Sequence, residues 1–203
     1  FPNDGLEVLY KEGDRNALIN PSGFPWFNVK LEPTGSRMTR DQHHTILDSG
    51  FDCFIDILHH LLIKYDQDLV EMARVNGKEI INGRESWILE FKNPNFSYIE
   101  YWVKEKVSIF DFVDEKKISR EMIIRKNPEL DGKEYLPEET KITIPNDYSP
   151  KMVLYIDVIT KTPLRIEVDD EQGLYEFYEF DNVQLNPEFA DDEFSSSYSE
   201  YDF

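Results

Sequence analysis

Residues 152–185 have the sequence MVLYIDVITKTPLRIEVDDEQGLYEFYEFDNVQL, and this stretch decides the fold class. Within it, residues 164–169 alternate between apolar and charged side chains, which is the pattern of a strand with one buried face. Turn-forming residues at 161–163 and 170–173 separate three such runs. Runs joined by turns this short pair as antiparallel neighbours. The stretch therefore predicts three consecutive antiparallel strands.

The same alternating pattern extends towards the N-terminus. Asn82-Gly83 lies between two apolar runs and predicts a tight hairpin turn. A turn containing Gly13 and Asp14, flanked by two short apolar runs, predicts another hairpin. Further runs rich in aromatic and β-branched residues are predicted as strands, namely FPWFNVKLEP (24–33), SYIEYWVK (97–104) and KVSIFDFV (106–113).

One segment has a helical period instead. Between Asp41 and Tyr65, apolar residues recur at steps of three and four, which predicts an amphipathic helix with Ser49 and Asp52 as a capping pair. Residues 119–127 fit either a short helix or an outer strand, and residues 128–150, with four prolines, are predicted as an irregular loop. About nine or ten strands around one long helix, without βαβ alternation, predict an antiparallel α+β fold.

Composition excludes several classes of function. The chain has 203 residues and a net charge of −19, with 14 % aromatic residues. That charge repels nucleic-acid phosphates and anionic membrane surfaces, so no nucleic-acid partner is expected. No apolar run approaches the length of a membrane span. The aromatic content indicates a packed globular domain, despite the many acidic residues.

No motif for catalysis or metal binding is found. The single cysteine, Cys53, lies among apolar residues, which favours a buried thiol. The pairs His43-His44 and His59-His60 are adjacent, and neighbouring residues on a helix point about 100° apart, so neither pair forms a natural metal face. Neighbouring carboxylates are expected by chance in a chain with 41 acidic residues. We therefore expect no catalytic residues, no metal, no cofactor and no enzymatic activity.

The order of several segments resembles the LolA-like superfamily, the carriers of outer-membrane lipoproteins. The resemblance is carried by YIDVITKTPLRIEVDDEQGLYEFYEFDNVQLN, by GLEVLYKEGDRNALINPSGF and by LNPEFADDEF. It is nearest to a branch of unknown function in Gram-negative envelopes. It implies a strongly curved antiparallel sheet, a half-barrel, wrapped around one long amphipathic helix. It also implies export to the periplasm, attachment to the outer membrane, and residues upstream of Phe1 that complete the fold.

From the resemblance, we predict one domain over residues 1–190 and an acidic, Ser- and Tyr-rich tail over residues 191–203. The aromatic strands either fill an ordinary core or line an open apolar cleft. For the cleft, the predicted ligand-binding residues are Trp26, Phe54, Leu58, Tyr101, Leu154 and Ile166. The first hypothesis is a non-enzymatic protein that binds a lipid acyl chain. The alternative is a structural subunit of an envelope protein complex, with no ligand and with residues 128–150 contacting a partner.

Overall fold

The computed structural model describes residues 5–40 and 42–203. The chain divides into two compact units. The smaller unit comprises Phe1–Ser49 together with Gln184–Phe203, and the larger unit is Gly50–Val183. The two ends of the chain therefore belong to the same unit.

The described residues form twelve strands and five α-helices. The strands, β1 to β12, are Glu7–Leu9, Ala17–Asn20, Val29–Leu31, Ala73–Ile81, Arg84–Lys92, Tyr98–Val103, Val107–Ser108, Tyr135–Leu136, Thr140–Pro145, Lys151–Asp157, Pro163–Asp170 and Gly173–Glu179. The helices, α1 to α5, are Ser36–Thr39, Asp52–Tyr65, Leu69–Met72, Ile109–Lys116 and Arg120–Lys126. All strand pairs in the described part of the chain are antiparallel, which confirms the predicted α+β class.

The larger unit is built on a five-stranded sheet in the order β12-β11-β10-β5-β4. The turn at Asn82-Gly83 joins β4 to β5, with both residues at positive φ, 49° and 77°, as a type I′ turn requires. β10 pairs with β11, and β11 pairs with β12, both antiparallel. The prediction of three consecutive antiparallel strands is therefore confirmed. β12 and β4 are free edges, which makes this an open sheet rather than a closed barrel.

Helix α2 begins at Asp52, eleven residues after the predicted start at Asp41. The capping prediction is wrong, because Phe51 occupies the N-cap without a side-chain bond. A capping box forms earlier, between Thr45 and Asp48, and closes a 3-10 turn. The prediction of one long helix is not confirmed, since α2 has 14 residues and is one of five described helices. No helix in the described ranges is long and apolar enough to cross a membrane.

Residues 106–113, predicted as one strand, are mostly helical, and Ile109 and Phe112 among them belong to a second apolar core of the larger unit. The hydroxyl of Ser108 accepts a hydrogen bond from the Asp111 amide at 3.4 Å and caps α4. Strand β7 therefore ends at Ser108, and the next eight residues are helical. Ser119 caps α5 in the same way, so the segment that fitted either a helix or a strand is a helix.

The loop predicted over residues 128–150 is ordered as well, so that prediction is wrong. It contains β8, which pairs with β7, and β9, which pairs with β6. Leu130, Leu136 and Ile142 from this stretch are at most 2 % exposed and belong to the second core. The four prolines lie at or next to the ends of these short elements, and most of the apolar residues between them are buried.

The smaller unit contains a three-stranded sheet, β1-β2-β3. The first hairpin is as predicted, with Leu9 opposite Leu18 and a turn closed by a bond from the Asp14 amide to the Lys11 carbonyl at 3.0 Å. The strand predicted over residues 24–33 is shorter, because only Val29–Leu31 pair with β2.

Candidate ligand-binding site

An apolar layer lies between α2 and one face of the five-stranded sheet. Phe54, Ile57 and Leu61 of α2 are 4 %, 2 % and 3 % exposed. They pack in one cluster with side chains of the sheet, of α3 and of the loop before β10, namely Met72, Phe91, Tyr148, Met152, Leu154, Ile166 and Val168. Leu154 lies directly opposite Ile166 on β11 and Leu89 on β5. This arrangement forms a continuous apolar surface across three strands.

The structure brings four of the six predicted ligand-binding residues to this layer. Phe54, Leu154 and Ile166 are buried in it, and Leu58 packs against it half-buried. The other two lie elsewhere. Tyr101 packs against the second core, with its ring 5.1 Å from that of Phe112. Trp26, in the smaller unit, is 85 % exposed.

A buried carboxylate on the same sheet face was missed by the sequence analysis. Glu176 is 4 % exposed, and both of its carboxylate oxygens accept from the Tyr148 hydroxyl at 3.0 Å. Regular pairing from Asp169 would place Tyr175 opposite Val168. A bulge shifts the register, so Glu176 occupies that place instead. Burial raises the pKa of Tyr148 well above its usual value, with the Glu176 charge adding to the effect.

A second polar group fixes the C-terminal end of α2. Asp147, 2 % exposed, accepts from Lys64 Nζ at 2.7 Å, from the Tyr65 hydroxyl at 2.5 Å and from Asn93 Nδ2 at 2.8 Å. Burial raises the pKa of Tyr65 to about 12, and its hydrogen bond to Asp147 acts in the same direction. We call these four residues the latch, since they tie the last turn of α2 to the strand ends beneath it.

The N-terminal half of α2 is held by ring contacts and by an ion pair, between Asp56 and Lys117 Nζ at 3.4 Å. The Phe51 ring lies 4.9 Å from that of Phe180, and the Phe54 ring lies 5.2 Å from that of Tyr178, both edge-on. Gly50 precedes them with a φ of 96°, a conformation that side-chain-bearing residues rarely adopt. The two ends of the helix therefore differ: the C-terminal end is bonded to a buried carboxylate, whereas the N-terminal end has ring contacts and an exposed ion pair and is preceded by a glycine.

Comparison with known proteins gives one family and two structural neighbours. The whole chain, residues 1–203, matches the model of a family described as protein of unknown function (DUF1571). The chain belongs to this DUF1571 family. Membership in a family of unknown function, as the sequence resemblance predicted, is thereby confirmed. No curated protein matches the sequence.

Both structural neighbours of this DUF1571 chain are distant. One is a putative outer membrane lipoprotein-sorting protein domain from Vibrio parahaemolyticus, at 15 % identity and a TM-score of 0.29, covering 85 % of this chain and 47 % of that one. The other is a DUF1329 family protein from Desulfovibrio piger, at 12 % identity and a TM-score of 0.26, covering 84 % and 48 %. The chain spans about half the length of each of these structures.

The exposed side of α2 in this DUF1571 chain carries three apolar residues among its polar ones. Ile55, Leu62 and Ile63 are 55 %, 51 % and 70 % exposed. They recur at steps of seven and eight residues, so they lie along one side of the helix. The exposed polar residues Asp52, Asp56 and His59 lie on the same side, as on a helix that covers a core, so the three exposed apolar residues are an addition to the usual pattern. The helix thus presents apolar side chains both to the sheet and to its surroundings.

Proposed function

We propose that this protein is a non-enzymatic binding protein that holds a lipid acyl chain, or a similar apolar ligand, between α2 and the five-stranded sheet. One observation carries the proposal: α2 covers the apolar sheet face with three fully buried side chains and has different attachments at its two ends. In the structure described above, α2 itself fills the site. A ligand enters when α2 swings away about Gly50 and the latch opens.

The free energy needed to lift α2 off the sheet is comparable with the free energy gained by burying an acyl chain. Lifting α2 exposes the side chains of Phe54, Ile57 and Leu61, which costs about 5–9 kcal/mol at 1.5–3 kcal/mol for each side chain. An acyl chain that buries about 300 Å² of apolar surface gains roughly 7 kcal/mol at 25 cal/mol per Å². Ligand burial can therefore offset most of the cost of exposing these three side chains, and opening the latch adds a further cost. Without a ligand, the closed state is favoured by several kcal/mol.

The exposed apolar residues of α2 support the same proposal. When the helix swings, Leu62 and Ile63 can contact the remainder of a bound chain or the membrane from which it comes. Residence in the periplasm, attached to the outer membrane, belongs to the proposal and rests on the LolA-like sequence resemblance.

A specific observation also favours a second candidate, a subunit of an envelope protein complex. Three exposed apolar residues on one side of a helix are typical of a protein-protein contact. In this case α2 stays closed, and Ile55, Leu62 and Ile63 contact the partner. Residues 128–150 are less suited to that role than the sequence suggested, because their apolar side chains are buried in the second core.

Two substitutions on the same helix distinguish these candidates. Leu58 packs half-buried against the apolar layer, whereas Ile55, one turn earlier, is 55 % exposed, so Leu58→Asp and Ile55→Asp place the same charge at a packed and at an exposed position of α2. Under the proposal, Leu58→Asp reduces binding of a fluorescent fatty acid at least about tenfold. Leu58→Ala reduces it less, and Ile55→Asp leaves binding within about twofold.

Native mass spectrometry of protein from its own envelope provides an independent readout. The proposal predicts a lipid-sized mass increment that disappears on organic extraction. The opposite result is a mass without a ligand, together with a stoichiometric protein partner. If Ile55→Asp removes that partner and Leu58→Ala does not, the ligand-binding proposal is refuted and the protein is a subunit of a complex.

A further inference from the structure

The smaller unit contains a cavity of about 410 Å³, at the end of the sheet where β1 and β2 meet in their turn. The described residues that line it come from that turn, from one row of the sheet and from the C-terminal segment, namely Leu9, Lys11, Asp14, Arg15, Asn16, Leu18, Lys30, Phe194 and Ser196. Its volume is within the range of small-molecule sites. The apolar layer under α2 shares no lining residue with it.

Strand register places apolar and basic groups on the same wall. Leu9 lies opposite Leu18, and Leu18 lies opposite Lys30, so these three side chains form a row on one face of the sheet. The other face carries Ala17 and Ile19, which are 0 % and 5 % exposed and belong to the interior. The cavity therefore lies on the open face of the sheet, with leucines next to a lysine.

The C-terminal segment is fixed across this open face. The Asp202 amide donates to the Glu7 carboxylate at 3.0 Å, and the Asn20 side chain donates to the Asp202 carbonyl at 2.9 Å. Phe194 reaches the cavity from the same segment and forms an edge-on pair with Phe189 at 5.2 Å. Residues 191–203, predicted as an acidic tail, thus contribute an aromatic wall to the cavity.

The charge of the cavity is opposite to that of the protein. Three basic residues, Lys11, Arg15 and Lys30, and one acidic residue, Asp14, are among its lining residues. The chain as a whole has a net charge of −19. None of the three cations forms an ion pair with any residue in the described ranges 5–40 and 42–203. In a chain with 41 acidic residues, this local excess of positive charge favours an anionic ligand.

We propose that this cavity binds a phosphate ester with an attached apolar group, with Arg15, Lys11 and Lys30 around the phosphate and Leu9, Leu18 and Phe194 around the apolar part. A phosphate monoester carries a charge of about −1.5 to −2 at neutral pH, which balances three cations and one carboxylate. Arginine supplies paired N–H donors suited to phosphate oxygens. The ester is either a free phosphorylated metabolite or the head group of a phospholipid.

Titration calorimetry with inorganic phosphate and with hexyl phosphate tests the site, at low and at high salt. Hexyl phosphate binds more tightly than inorganic phosphate, and high salt weakens both. Arg15→Gln and Lys30→Gln each weaken hexyl phosphate binding at least about tenfold. Arg37→Gln, which removes an exposed charge of the same unit outside the cavity, leaves it within about twofold. Phe194→Ser weakens hexyl phosphate binding but not inorganic phosphate binding.

Vesicles distinguish the two sources of the ester. Binding of hexyl phosphate from solution establishes a soluble ligand. Binding only to phosphatidic acid vesicles, whose head group is a phosphate monoester, absent with phosphatidylcholine vesicles and lost in Arg15→Gln, establishes a head group. Binding to neither probe, or an equal loss in Arg37→Gln, overturns the proposal. The fatty-acid assay on Leu58→Asp is independent, because it tests the layer under α2.

Discussion

Asp147→Asn is the substitution that most directly tests whether α2 acts as a lid. The Asp147 carboxylate accepts from three donors, and its side chain is 1 % exposed, whereas that of Lys64 is 36 % exposed. Hydrogen bonds to a charged group contribute about 1.5–3 kcal/mol each, with the Lys64 bond at the low end because water screens it. An asparagine keeps a carbonyl acceptor but adds an N–H₂ group facing these donors. We expect the latch to lose about 3 kcal/mol, which raises the opening equilibrium of α2 about 150-fold.

Hydrogen exchange measured by mass spectrometry reports this opening segment by segment. In Asp147→Asn, the amides of α2 exchange about 100-fold faster, while those of β10 and β11 change far less, because the helix opens without unfolding the sheet. Asp157→Asn is the matched control. Asp157 is also 2 % exposed and accepts from the Ile159 and Thr160 amides and from Arg84 Nε at 2.8 Å, but it is the last residue of β10, next to the turn that leads to β11. If α2 and the sheet accelerate together in Asp147→Asn, α2 is part of the core and the lid mechanism is wrong.

Three further predictions concern stability. Leu154→Ala lowers the free energy of unfolding in urea by about 2–5 kcal/mol, whereas Ile80→Ala, on an exposed strand position, changes it by less than about 0.5 kcal/mol; equal effects would contradict the packing described. Backbone amides, above all that of Thr160, lower the pKa of Asp157, so its contribution is present above about pH 4 and is lost as the pH falls through the lowered value. The free energy of unfolding in urea should therefore differ less between the protein and Asp157→Asn below that pH than above it. A difference that does not change with pH would show that the Asp157 charge does not contribute to stability. Burial raises the pKa of Tyr65 and of Tyr148 in the folded state, so their contribution to folding stability is complete below about pH 10 and is lost as the pH rises further. Tyrosinate absorbance should show these two residues ionising together with unfolding, and ionisation of all tyrosines before unfolding would contradict their burial.

Local sequence rules predicted the hairpins because each depends on a few neighbouring residues. The turn at Asn82-Gly83 needs two residues that tolerate positive φ, and strand β11 needs only its own alternation. The same rules failed where short elements are decided by caps. Ser108 begins a helix inside a run of β-branched and aromatic residues, because its hydroxyl satisfies an amide of the first turn and α4 then buries Phe112.

The site was predicted only in part, for a related reason. Phe54, Leu58, Leu154 and Ile166 follow from periodicity, since each lies on the apolar side of its own helix or strand. Periodicity does not predict which helix or strand an apolar side packs against. The sequence therefore could not show that Tyr101 packs against the second core or that Trp26 is exposed.

The sequence by itself determined the antiparallel class, the order of the C-terminal strands and the presence of an amphipathic helix that ends at Tyr65. These depend on contacts between residues close in the chain. The tertiary structure alone decided the burial of Glu176, the latch at Asp147 and the basic cavity beside Phe194. Each joins residues far apart in sequence, and its formation depends on a bulge, a loop path or a packed tail that no local pattern specifies.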